Sequence, residues 1–174
     1  MPARKIAVCA SLITAALIAQ LTVLPRLRLP GSTPDVILLV VMGLAVAYGS
    51  TTGMVAGFSA GLATDLLPPA DHAVGRLAFV LCVVGYLTGL LRDELRKSAP
   101  VSMGIVVGMT VVGMLLSAGL GALLGDLTLS LTALTRLILV AVCYQVLLSP
   151  FFIPAVLKLV QLTEPRDLLS EVAR

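Results

Sequence analysis

Residues 48–69 read YGSTTGMVAGFSAGLATDLLPP, with Gly49, Gly53, Gly57 and Gly61 at intervals of four and Asp65 on the same interval. A helix of 3.6 residues per turn carries all five on one face. That face is stripped of side chains and then ends in a carboxylate. The segment belongs to a run of 33 apolar or small residues, 35–67, whose only turn-like patch is GSTT at 49–52. As one helix the run would measure about 50 Å, against about 30 Å for a hydrocarbon core. We therefore divide it near 49–52 into two short helices, 35–48 and 53–67. Both fall below the usual span of about 17–25 residues, so they sit shallow, tilted or in a thinned bilayer.

Composition sets the class. Of 174 residues, 59% are hydrophobic and 12% are charged, where a soluble domain carries roughly 25% charged residues. Mean hydropathy is +1.09. Too few polar residues are present to cover a water-facing surface, and a bilayer removes that need. The expected class is an all-α polytopic membrane protein. Net charge is +3, but the basic residues lie scattered between apolar runs without interleaved aromatics, which excludes nucleic acid as a partner. Cys9, Cys82 and Cys143 lie inside apolar runs with no C-x-x-C pair. They read as small buried hydrophobes, not as a disulfide framework or a zinc site. His72 is the single histidine and reads as a loop residue. No nucleotide-binding, metalloprotease or serine-nucleophile motif is present. No enzyme activity, metal or cofactor is expected.

Six spans follow from the apolar runs: 6–24, 35–48, 53–67, 77–91, 101–124 and 137–159. The first is long for a signal-peptide core and is read as an uncleaved helix. Pro34 suits a helix's first turn, and Asp35 meets its positive end. Residues 72–76 read as a short interfacial turn, and RDELRKSAP at 92–100 is the densest charge cluster. Pro150 and Pro154 interrupt the sixth span without banning it. The whole reads as one bundle, 1–160, with a polar tail, 161–174. With the N-terminus inside, six spans place eight basic residues in the cytoplasm and four outside. Five spans with the N-terminus kept inside reverse that bias, so the positive-inside rule favours six with both termini cytoplasmic. Five spans with the N-terminus outside restore the bias but need one 33-residue helix, and rank second.

Helices in lipid associate by close packing, and small residues let backbones approach. The glycine face reads first as an internal packing surface, second as a seat for a partner helix and third as the wall of a cavity. Gly85 with Gly89, Gly104 with Gly108, and Gly121 with Gly125 repeat the spacing. Asp65 lies near the outer end of its span, where a carboxylate is less costly than at the centre. It pairs with Arg76, caps the next element or faces a partner.

The stretch 34–95 resembles the core of the bacterial rod shape-determining protein MreD family. The Pro-Asp pair before the second span is matched by Pro34 and Asp35, and the Gly-Leu-x-x-Asp-Leu stretch by Gly61, Leu62, Asp65 and Leu66. Gly75 matches a glycine before the next helix, and Gly85, Tyr86, Leu87 and Gly89 match a Gly-Tyr-Leu-x-Gly pattern. The loop PPADHAVGR, 68–76, departs from the small, glycine-rich loops of many members. The resemblance implies a six-helix bundle similar to the substrate-binding subunit of energy-coupling-factor vitamin transporters. It implies a non-enzymatic scaffold of the elongation complex in the bacterial cytoplasmic membrane, supporting lateral peptidoglycan synthesis and rod shape. Implied partners are MreC, a RodA-type polymerase, a class B penicillin-binding protein and, indirectly, MreB, besides membrane lipid. Asp35, Gly49, Gly53, Gly57, Gly61, Asp65, Gly75, Gly85, Tyr86 and Gly89 become candidate interface residues. The alternative is a vitamin-type uptake subunit. Such a pocket needs convergent polar and aromatic groups, and the chain has no Trp, three Tyr and four Phe.

Overall fold

The structure, a computed structural model, describes residues 3–22, 35–67, 75–125 and 131–163. Seven helices run through them: α1 (Ala3–Thr22), α2 (Val36–Tyr48), α3 (Ser50–Asp65), α4 (Arg76–Leu90), α5 (Arg92–Lys97), α6 (Ala99–Leu123) and α7 (Leu131–Thr163). Six of these take the places of the six expected spans. The seventh, α5, is the charge cluster RDELRK wound into six residues. No strand occurs among the described residues. Within α1, α6 and α7, the stretches Arg4–Thr22, Pro100–Leu123 and Thr135–Thr163 are long and apolar enough to cross a membrane, and α2 and α4 are shorter apolar helices. The molecule is an all-α polytopic membrane protein.

The shortest apolar helix holds the centre. Helix α2 has 13 residues, of which twelve, Val36 to Ala47, are buried. Leu39, Val41, Met42, Leu44 and Ala45 have no exposed surface. A helix that is apolar on every side belongs inside, and α1, α3, α4 and α7 pack around this one. Its length of about 20 Å therefore need not match the bilayer, because its neighbours, not lipid, surround it. Gly43 on α2 admits Val156 of α7, whose Cβ stands 2.9 Å from where a Gly43 methyl would lie.

The break in the 35–67 run is narrower than the sequence suggests. It occupies Gly49 alone, at φ 91° and ψ 179°, a region open essentially only to glycine. Ser50, Thr51 and Thr52 already belong to α3. The chain folds back there: the Ala45 Cβ lies 2.5 Å from the position a Gly53 Cβ would take. Residues eight apart in one straight helix would be about 12 Å apart.

The long helices alternate in direction. At one end, the C-terminal turn of α1 meets the start of α2 through Gln20 and Ile37. At the same end Asp65 of α3 meets the start of α4 and Arg76 of α4 lies over Gly121 of α6, while Asp35, before the start of the short α2, meets Gln145 near the middle of α7. At the opposite end Lys5 of α1 stands 5.6 Å from the centre of the Tyr48 ring, and Arg92 approaches Gly49. Arg4 and Thr163 line one crevice at that end, so the described chain starts and finishes on the same side.

Helix α7 is continuous for 33 residues despite Pro150 and Pro154. A proline at 150 has no N–H for the Val146 carbonyl; the Ser149 hydroxyl donates to that carbonyl instead, at 3.2 Å. The helix starts at Leu131, six residues before the expected 137, and ends at Thr163. The rest of the expected tail, 164–174, and the 72–74 part of the expected interfacial turn, with His72, lie outside the described residues.

Candidate functional site

The glycine face of α3 is filled by α4. A methyl at Gly53 would lie 2.5 Å from the Gly85 carbonyl oxygen, and one at Gly61 would lie 2.5 Å from that of Leu77. One at Gly57 would overlap the Leu81 carbonyl. From the other side, Gly85 abuts the Gly53 carbonyl and Gly89 abuts Ser50. Each step of four forward on α3 is thus matched by a step of four back on α4. The two backbones touch along an antiparallel seam in which any side chain would be a wedge. Small residues are needed because nothing else in lipid draws helices this close.

Asp65 lies one turn beyond Gly61, at the end of the seam, with no exposed surface. Its Oδ2 accepts N–H bonds from Gly75 at 2.9 Å and Ala78 at 3.1 Å, and its Oδ1 one from Leu77 at 3.4 Å. The first N–H groups of a helix have no partner within it, and its dipole favours a negative charge there. The carboxylate on the glycine face therefore closes the seam by capping the helix the glycines admit. Gly75 completes the cap at φ 97°, a left-handed backbone that most side chains resist.

Asp35 does the same for α2. Its Oδ1 accepts the Leu38 N–H at 3.0 Å. Gln20 Oε1 takes the Ile37 N–H at 3.1 Å, and Gln145 Nε2 donates to the Asp35 carbonyl at 3.0 Å. Helices α1 and α7 thus converge on the start of the buried one. Gln20 and Gln145 were not singled out in the sequence. Their signal is there all the same: two of the chain's three glutamines sit inside apolar runs, where an amide without a partner is costly.

The structure brings Gly53, Gly57, Gly61, Gly85 and Gly89 together in one seam, with Asp65 and Gly75 at its end. Gly49 forms the hinge at the opposite end, and Asp35 caps a different helix. Tyr86 turns away from the seam and is 43% exposed. The repeated spacing elsewhere does not make further seams. Methyls at Gly104, Gly108 and Gly125 would meet nothing within 4 Å, and Gly121 faces the Arg76 guanidinium.

Between α2, α4, α6 and α7 lies a cavity of about 170 Å³, bordered by Asp35, Leu38, Thr110, Gly113, Ser117 and Gln145 among others. Among the described residues, no three His, Cys, Asp or Glu side chains group as a metal site would require. In comparison with known proteins, the family model described as rod shape-determining protein MreD matches residues 4–163. No curated protein and no solved structure matches.

Proposed function

The chain belongs to the MreD family of rod shape-determining proteins, and from that membership we propose that it is a non-enzymatic coupling subunit of the wall-elongation complex. Family membership carries the reading, and the construction of the bundle supports it. Zipped backbones and buried caps make α2, α3 and α4 a stiff block, suited to holding partner helices in a fixed arrangement. The proposed partners are MreC, a RodA-type polymerase and a class B penicillin-binding protein, with MreB reached indirectly. Contacts would form on the outer faces of the bundle, Tyr86 among them, since the α3 glycine face already holds α4. The proposed location is the bacterial cytoplasmic membrane, with the Lys5 and Lys97 end in the cytoplasm under the positive-inside rule.

A vitamin-uptake subunit is the competing reading. A ligand pocket for a molecule of that size measures about 300–1,000 Å³, and the central cavity is about 170 Å³. Affinity co-purification from native membranes in mild detergent, read by mass spectrometry, tests the choice. Recovery of MreC and wall polymerases is the expected result. Recovery of a transporter's ATPase module instead would overturn the proposal.

A further inference from the structure

Gln145 is 1% exposed. The carbonyl of Asp35 can only accept, so the Gln145 amide must turn its Nε2 toward it. That orientation leaves Oε1 pinned, buried and without a hydrogen-bond partner. An unsatisfied buried carbonyl costs about 1–3 kcal/mol, and most buried polar groups have a partner. Gln145 lines the central cavity, as does Asp35. The Thr110 hydroxyl in the same wall is already committed to the Val106 carbonyl, at 2.8 Å. The rest of the lining is largely apolar, including Leu38, Val80 and Leu81. The lining runs from Asp35 and Leu38 at the start of α2 to Thr110 and Gln145 near the middles of α6 and α7.

We propose that this cavity is a binding site for the primary amine head of a small amphiphile, with Gln145 Oε1 as its acceptor and Asp35 as the neighbouring negative charge. An acceptor and an acidic residue in the wall of one cavity call for a donor that carries positive charge. The apolar walls call for a short hydrocarbon body attached to it. At about 30 Å³ of liquid volume per water, the cavity of about 170 Å³ takes an amine of a few heavy atoms or the head of an aminolipid. A primary ammonium meets both demands, and a quaternary ammonium, lacking N–H, meets only one.

The test is calorimetric titration of the full-length protein in neutral detergent with n-butylamine, with tetramethylammonium as the donor-free control. Saturable one-to-one binding of the first and none of the second is expected. Gln145→Leu should weaken n-butylamine about tenfold, the loss of one charge-assisted hydrogen bond. Gln145→Leu also removes the bond to Asp35, so Gly113→Val serves as a second variant. A methyl at Gly113 meets only ordinary contacts, with Val84 Cγ2 at 3.5 Å and Val80 Cγ1 at 3.8 Å, so the position admits a side chain, and valine there narrows the cavity that Gly113 lines. It should abolish binding while the protein stays folded. Native mass spectrometry from nanodiscs separates the sources. One phosphatidylethanolamine retained per chain and displaced by n-butylamine identifies a lipid head; binding of n-butylamine with no retained lipid identifies a free amine. No n-butylamine binding, equal binding of tetramethylammonium, or undiminished binding by Gly113→Val would overturn the proposal.

Discussion

Glycine at position 57 and glycine at position 119 are the same residue in the same kind of helix, with opposite consequences. A methyl at 57 meets the Leu81 carbonyl; one at 119 meets nothing within 4 Å. Gly57→Ala should therefore destabilise the protein by about 3 kcal/mol, because a backbone atom cannot move aside as a side chain can. Gly119→Ala should be neutral or stabilising by about 0.5–1 kcal/mol, from helix propensity alone. Thermal unfolding in detergent, followed by size-exclusion chromatography, compares them directly. Equal effects would remove the basis for the seam. Asp65 is decided by the same kind of detail. Asp65→Ala strands the N–H groups of Gly75, Leu77 and Ala78, and should cost about 3 kcal/mol or more. Asp65→Asn keeps one acceptor oxygen and should lose less. If alanine and asparagine unfold alike, the carboxylate is not acting as the cap. The spacing of four marks the run that Gly57 belongs to but not what fills it, since Gly104 and Gly108 share the spacing and a methyl at either meets nothing within 4 Å.

Helix boundaries were legible where a local rule governs them. The interruption of the 35–67 run is a property of chain length against bilayer thickness, and GSTT offered the only turn-like residues. The structure narrows the interruption to Gly49, since its backbone alone carries the fold-back. Gly49→Ala should cost about 1–3 kcal/mol, the usual strain for that region. Arg92 Nη1, at 3.2 Å from the added methyl, must also give way. A denaturation midpoint unchanged from the parent protein would argue that α2 and α3 tolerate another connection. Helix α5 was legible only as a charge cluster. Six residues carry too little periodicity to declare a helix, and its buried Leu95 shows an anchoring face that no window of that length reveals.

The whole bundle brings its first and last described helices back to one side, as an even number of passages requires. Cysteine labelling in a background without Cys9, Cys82 and Cys143 checks the orientation. Thr22→Cys should react with a membrane-impermeant reagent in intact cells, and Ser98→Cys only after permeabilisation. The reverse pattern would invert the protein in the membrane. By itself the sequence determined the membrane class, the six apolar helices, short ones among them, and the existence of a bare glycine face. These depend on composition and on spacings within one helix. Only the tertiary structure decided that α2 is the buried axis and that the glycine face is taken by α4. It alone shows that Gln145 reaches Asp35 across 110 positions of chain. The reason lies in the solvent. Lipid is as apolar as a protein core, so Phe151, 73% exposed, and Leu39, with none of its surface exposed, satisfy hydrophobicity equally well. In water, hydrophobicity marks the inside of a protein. In a bilayer it marks depth, and which helix faces which is settled by contacts between distant residues.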